Sequence, residues 1–536
     1  MTHRRSFFAL LLALAILSAG CSSGGGGAGA GVDEPAEARS NAQDLRVAVG
    51  EDPFMAGNPP AADIGIRTNG PNPGIFETFT RISPTYGVEG GLAERWESPS
   101  PKVWRFYLRK NVTFHNGTAF NAAAAVSSFE SFARRQTRPR GLDPGTAKAV
   151  ADDVVEVDMT VDNTRLPEQL ANPSMAVIAP GTRPAGGDSP ENTAVGTGPF
   201  AFVSYTKGAE LKMKGNDKYW NGAPQLKTLT FRFGPEKDAS RLLAVRQVEV
   251  VGMIAHSNLS SVSGRTDRKV QSRAGIAAYV LLNTGGTDEW TTLKDDNVRR
   301  AVAQTIDRKE VAKAAGWDEI GDAGTTLIPE IVLGQDAADR IKPLATNLNE
   351  AKKALDAAGW APGPDGMRAK NGRPLVLNLL LSWPVDQQLA ATAIKTQLAN
   401  VGIGMAVQDP GADTPPTKVN NATFDLYLDV RAQDDANPCA MCRFFTIRPG
   451  GQLSFSGSVG GGPKVDDLYD RIFSSPAIDT ARRAAADIMQ VVTTERVTAV
   501  SLASLKSEWL VSPRVRGFEP AALTGDQHWE GVFLTV

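Results

Sequence analysis

Two kinds of hydrophobic spacing alternate along this chain, and together they divide it into strands and helices. Residues Val103 to Arg109 place Trp104, Phe106 and Leu108 on one side and Arg105, Tyr107 and Arg109 on the other, the period-two pattern of a half-buried strand. Val154 to Val161 alternates in the same way. Leu45 to Gly50, Leu226 to Phe233, Ala277 to Leu282, Leu375 to Leu381, Gly402 to Val407 and Phe424 to Leu428 are short apolar runs that predict further strands. Phe202 to Tyr205 and Leu211 to Lys214 predict a hairpin about Lys207-Gly208. Helical spacing takes over elsewhere: Val298, Ala301, Val302 and Ile306 share one face over Asp296 to Asp307. Asn349 to Ala358 reads as an amphipathic helix closed by Gly359, while Ala122 to Arg134, Ser240 to Arg246 and Gln387 to Asn400 are helix-like. Strands and helices mix throughout without an internal repeat, which predicts the α/β class, divided into lobes.

The N-terminus follows another pattern. Basic Arg4 and Arg5, an apolar run from Phe7 to Leu17 and small residues before Cys21 are the parts of a secretory signal, and the run is too short to span a bilayer. The context Leu17-Ser18-Ala19-Gly20-Cys21 resembles the lipobox of bacterial lipoproteins, with Ser18 where leucine is usual and Leu17 one step earlier. That resemblance implies a lipidated Cys21, a signal peptide over 1–20 and anchorage to the outer face of the cell membrane. Arg4-Arg5-Ser6 also fits a twin-arginine export signal, so both export routes stay open. Residues 21–44, rich in Gly, Ala, Ser and Glu and without an aromatic side chain, read as a flexible tether.

An extracytoplasmic address favours capture, hydrolysis or adhesion over chemistry driven by ATP or reduced nicotinamide. Roughly 490 residues remain for two or three domains. The formal charge is -2 and becomes more negative when Arg4 and Arg5 leave with the signal, which argues against a nucleic-acid partner. No later stretch has the length and apolarity of a membrane span. Cys439 and Cys442, the two remaining cysteines, are spaced as Cys-Ala-Met-Cys; outside the membrane a local disulfide is the expected state, with a redox-active or metal-bound pair as alternatives. His115, His256 and His528 are scattered without metal-ligand spacing, so neither a metal nor another cofactor is expected.

Five ordered landmarks give the chain a family likeness. They are Gly91-Leu92-Ala93-Glu94-Arg95-Trp96 with the strand Val103 to Lys110 and Val112-Thr113-Phe114-His115-Asn116-Gly117-Thr118; then Gly196-Thr197-Gly198-Pro199-Phe200; then Asn216-Asp217-Lys218-Tyr219-Trp220; then Asn297 to Val302 with Ile306-Asp307-Arg308; and Ala351 to Leu355 through Ala358-Gly359-Trp360. They closely resemble the family 5 extracellular solute-binding proteins, the dipeptide and oligopeptide receptors of ABC importers. Most of these residues read as architecture. Trp104 and Phe106 are expected in the core, Gly196 and Gly198 to serve backbone dihedrals, and Arg299 and Arg300 to lie on a solvated helix face.

The resemblance implies a bilobal periplasmic-binding-protein-like fold (type II, cluster C) with an extra inserted domain. Lobe I would take 45–79, 195–278 and 509–536, the inserted domain 80–194, and lobe III 279–508. It also implies a peptide ligand between lobes I and III, permease subunits of an importer as partners, membrane contact through the lipid only, a monomer and no catalysis. In peptide-binding relatives the strand matching Phe424 to Leu428 leads into an Asp-x-x-x-Pro loop whose aspartate pairs with the α-ammonium group, and here that residue is Asp434, with Asp435 next in line. A buried ammonium needs such a partner once water is excluded. Trp383 is expected as a pocket wall, and Asn283, at a strand end, as a contact to the ligand backbone. Asn437, where relatives often carry an acid, and the Cys439–Cys442 pair depart from the family pattern; if oxidised, that pair would stiffen the loop holding Asp434. Haem, metal chelates and oligosaccharides are alternative ligands on the same scaffold. An anchored hydrolase is the remote alternative: Ser204-Tyr205-Thr206-Lys207 matches Ser-x-x-Lys, but Ser204 falls in a predicted strand and no Lys-Thr-Gly partner occurs.

Overall fold

A computed structural model of the chain describes residues 39–536, apart from 50–73, 84–85, 136–137, 183–193, 235–245, 253–267, 272–274, 288, 383–386, 409–414, 434–435, 449–456 and 522–526. Strand β1 (Asp44–Val49) buries Leu45, Val47 and Val49 on one face. The chain then leaves for an antiparallel sheet of β2 (Ala93–Ser100), β3 (Val103–Leu108), β4 (Ala147–Ala151) and β5 (Val154–Asp158), ordered β2-β3-β5-β4. The alternation of β3 does what it predicts: Trp104, Phe106 and Leu108 are buried, against Phe129 and Phe132 of helix α1 (Ala122–Ala133). Each such aromatic removes enough apolar surface from water to stabilise the fold by about 2 to 3 kcal/mol. The Asn121 side chain starts α1 by accepting from the Ala124 N–H, a cap for one of the amides the helix leaves unpaired.

The chain next returns beside β1 with β6 (Phe200–Thr206), β7 (Glu210–Gly215), β8 (Thr228–Phe233), β9 (Val250–Gly252) and β10 (Arg268–Gln271). From Gly275 onward the chain builds a mixed sheet of β11 (Ile276–Leu282), β12 (Gly321–Ala323), β13 (Val376–Leu381), β14 (Gly404–Val407), β15 (Leu426–Ala432) and β16 (Ala499–Leu505), ordered β12-β16-β11-β15-β13-β14. One face of this sheet packs on α2 (Asp296–Thr305), α3 (Leu348–Ala357) and α4 (Gln388–Ala399); the other packs on α5 (Pro463–Ser474) and α6 (Ile478–Gln490). Gly359, at φ +81°, closes α3 in the left-handed region, where a Cβ is unfavourable. At Lys506-Ser507 the chain crosses back, and β17 (Glu508–Val511) completes the seven-stranded order β10-β17-β9-β1-β8-β7-β6.

Some expectations need correction. The strand expected over Phe424 to Leu428 runs instead from Leu426 to Ala432, because it pairs along the whole of β11. Arg299 is buried rather than solvated: its guanidinium donates to the carbonyls of Leu293, Lys294 and Arg496. Helices α5 and α6 and strands β16 and β17 have no counterpart in the sequence reading, and the helix expected over Ser240 to Arg246 lies almost wholly outside the described residues.

Candidate functional site

Two polar clusters are built by different means. The first gathers the landmark residues about Glu77, a buried carboxylate in the segment preceding β2. It accepts hydrogen bonds from the Thr197 hydroxyl (2.7 Å), the Tyr219 hydroxyl (2.8 Å) and the Trp220 indole (3.0 Å). Burial raises the carboxyl pKa above its ordinary value, and the three donors oppose that shift. Gly196 and Gly198 are required here, but not for their dihedrals, since neither has positive φ. They let two chain segments touch: a Cβ on Gly196 would lie 2.0 Å from the Ile75 carbonyl oxygen, and one on Gly198 would lie 2.3 Å from that of Gly74.

His115 stands 2.9 Å through Nε2 from the Gly198 carbonyl. A carbonyl only accepts, so Nε2 carries the proton, and burial lowers the imidazole pKa. Arg109 donates to the Gly91 carbonyl at 2.6 Å and lies over the Trp220 ring. Asn216 donates to the Gly198 carbonyl at 3.1 Å. Landmarks distant in sequence thus form one joint through hydrogen bonds to one another, although the buried His115 Nδ1 has no hydrogen-bond partner there.

The second cluster lies where the two larger sheets exchange chain. Ile276 of β11 stands opposite both Ala432 of β15 and Leu505 of β16. Gly275 donates to the Leu505 carbonyl (3.1 Å) and accepts from the Gln433 N–H (2.7 Å). In the seven-stranded sheet, Gln271 is opposite Glu508 and Gly252 opposite Trp509. The chain therefore passes between the two sheets at Gly275 and at 506–507, beside the same strand ends. The parallel strands β13, β14 and β15 end on this side, and ligands of α/β sheets gather outside such carboxyl ends.

Three expected site residues follow these strands in sequence. Trp383 follows β13, and Asp434 and Asp435 follow β15, but all three lie outside the described residues, as does Cys21. Asn283 is described and fully buried. Its amide donates to the carbonyls of Ala422 (2.8 Å) and Phe424 (2.7 Å), and its carbonyl accepts from the Gly285 N–H, so the side chain ties the end of β11 to the segment entering β15. Cys439 and Cys442, both buried, form a disulfide in the described segment 436–445 after β15. Asn437 adds to this base by accepting from the Cys439 N–H at 3.0 Å.

A charged network missed by the sequence reading occupies the same end of β15. Asp429, nearly inaccessible, accepts from the Tyr279 hydroxyl (2.9 Å) and from Arg431 Nε (3.1 Å). The Arg431 guanidinium lies 5.1 Å from the centre of the Phe444 ring. Burial and then Asp429 push the Tyr279 phenol well above its usual range, so it remains a donor. The signal for this pair was the break in an apolar run, Leu426-Tyr427-Leu428 followed by Asp429-Val430-Arg431. Among the described residues no cluster of three or more His, Cys, Asp or Glu could hold a metal, and no helix is long and apolar enough to cross a membrane.

Two sheets joined by paired crossings define a bilobal binding-protein fold, and solved structures share it. AppA from Bacillus subtilis in complex with a nonapeptide has a TM-score of 0.73 at 18% identity, covering 93% of this chain and 100% of that one. NikA from Brucella suis in complex with Fe(III)-EDTA has a TM-score of 0.75 at 20% identity, covering 92% and 100%. The family described as bacterial extracellular solute-binding proteins, family 5 Middle, matches residues 87–450, and the chain belongs to it. The dipeptide-binding protein of Escherichia coli (strain K12) is 26% identical over 312 residues, covering 52% of this chain and 56% of that protein.

Proposed function

We propose that this protein captures peptides outside the cytoplasm and delivers them to the permease of an ABC importer, tethered by a lipidated Cys21. The observation that carries this reading is that β15 ends beside Gly275 and Leu505, with a buried disulfide between Cys439 and Cys442 in the segment that follows. Asp434 after β15 pairs with the ligand ammonium, with Asp435 next in line for that role, and Trp383 walls the pocket. The lobes are 45–79 with 195–278 and 509–536, an inserted domain 80–194, and 279–508. Ligand stabilises the closed arrangement by as much as it binds that arrangement better than the open one. Membership in a family of binding proteins and the peptide-bearing relatives support a receptor over a hydrolase. The likeness to a structure holding Fe(III)-EDTA favours a second reading, a metal chelate or other non-peptide ligand on the same scaffold.

Native mass spectrometry of the purified protein separates the two readings by the mass of any retained ligand. Asp434→Ala is expected to weaken free-amine peptides far more than their N-acetyl analogues, and equal loss for both removes Asp434 from this role. Cys21→Ser should release a soluble receptor that binds normally while import falls. Intact peptides after incubation are expected, and cleavage products would instead support a hydrolase.

A further inference from the structure

We propose that the inserted domain is a latch that holds the lobes closed, with Arg140 and Arg165 seated on the carboxyl end of helix α5. The inference uses the lobe division proposed above but neither the peptide nor the importer. The inserted domain continues into lobe I at both ends, and it is tied there by the Glu77 joint and by the bonds of His115 to the carbonyls of Gly196 (2.9 Å) and Gly198 (2.9 Å). Its contact with lobe III is of another kind. Arg140, oriented within its own domain by the Asp162 carbonyl (3.2 Å), donates to Asp470 of α5 at 2.6 Å, and Arg448 meets the other oxygen of that carboxylate at 3.1 Å. The Thr164 N–H donates to the Phe473 carbonyl (2.8 Å), the Thr164 hydroxyl to the Ser475 carbonyl (2.7 Å) and Arg165 to the Pro476 carbonyl (2.7 Å). These acceptors end or directly follow α5, where carbonyls lack partners within the helix, and the negative end of the helix favours both cations. Water can replace each donor when the lobes part, so the contact can be broken without leaving a buried group unpaired. Ile82, Tyr86 and Ala171 of the inserted domain also join the apolar cluster of lobe III, and closure thereby removes apolar surface from water. Beside the ionic contacts an open cleft of about 430 Å3 carries Lys102 and Asp162 on the inserted domain and Asp467 and Arg471 on α5. A polar, incompletely filled contact of this kind is typical of domains that move against one another.

The test is hydrogen exchange on the mature full-length protein without added ligand, because the Thr164 amide bonds across the contact whereas β5 pairs within the inserted domain. Opening of the latch exposes Thr164 and leaves β5 protected, so Thr164 is expected to exchange faster than β5 in the wild type. Arg140→Gln should speed Thr164 by roughly a further 3- to 10-fold, the scale of an ion pair whose carboxylate stays partly exposed. The same variant should leave β5 unchanged and raise the radius of gyration in small-angle scattering. Asp470→Asn, which keeps the bond from Arg140 to the Asp162 carbonyl, should act in the same direction and covers the case in which Arg140→Gln folds poorly. The double variant should match the larger single effect, since the two groups act as a pair. Equal acceleration of Thr164 and β5 in folded variants makes the contact a permanent part of the fold and overturns the latch. Faster Thr164 exchange at an unchanged radius is local fraying and overturns it too, as does the absence of any acceleration. Each of these outcomes leaves the receptor reading standing, because that reading fails or holds on ligand binding, which this experiment does not use.

Discussion

Glu77 and Asp429 are both buried carboxylates, yet their surroundings differ in kind. Glu77 is held by three neutral donors from Thr197, Tyr219 and Trp220, deep in a joint that brings the family landmarks together. Asp429 is held by one phenol and one cation, and that cation is partly exposed beside the chain crossings. The first arrangement spends the Glu77 carboxylate on donors of the same joint. The second leaves a partly exposed cation on the strand that ends beside Gly275. Motif residues here build the frame, and the Asp429–Arg431 pair lies at positions the motifs do not cover.

The contrast can be broken by removing each carboxylate. Glu77→Ala orphans three buried donors and is expected to cost on the order of 4 kcal/mol in urea unfolding, with ligand affinity unchanged in whatever fraction remains folded. Asp429→Ala should cost less, about 2 kcal/mol, because Arg431 can turn toward water; its larger effect should be on ligand affinity. If Asp429→Ala alters stability alone, the two carboxylates are equivalent and the contrast fails.

Smaller effects sharpen it. The Cys439–Cys442 bridge spans three residues of sequence, so loop-closure entropy limits its contribution to about 2 kcal/mol. Replacing both cysteines by serine should lower the unfolding midpoint modestly and weaken ligand binding more than Glu77→Gln does, as calorimetry on both variants would reveal. The smallest effect is electrostatic. The His115 pKa is lowered from 6.5, so the folded form binds fewer protons than the unfolded chain. That contribution is present above about pH 6.5 and is lost as pH falls through the lower, folded value. Glu77 has the opposite sign: its raised pKa favours the fold while the carboxyl is protonated and loses that contribution as pH rises through the folded value. His115→Gln, which can still donate to the Gly198 carbonyl, should lose less stability than the wild type between about pH 6.5 and 5.5, by under about 1 kcal/mol. An identical pH slope in the two proteins would remove His115 from this account.

Much of the frame was legible because periodicity reports burial directly. Trp104, Phe106 and Leu108 alternate in sequence and are buried together, and the apolar run of β11 lies between two partner strands. Arg299 misled because its polar character suggested solvent, whereas the carbonyls it meets come from the turn before α2 and from Arg496, nearly two hundred residues away. The end of β15 misled for a similar reason, since its length is set by pairing with β11.

The amino-acid order by itself determined the strand and helix pattern, the α/β class and the landmark residues, since each depends on spacing over a few positions and on local backbone preference. Tertiary structure alone decided that two landmarks converge on Glu77, that Gly196 and Gly198 serve close approach, and that Asp429 and Arg431 stand on the strand that ends beside Gly275. Those outcomes depend on which distant segments are brought within hydrogen-bond range, and register between strands, rather than spacing along the chain, sets that distance.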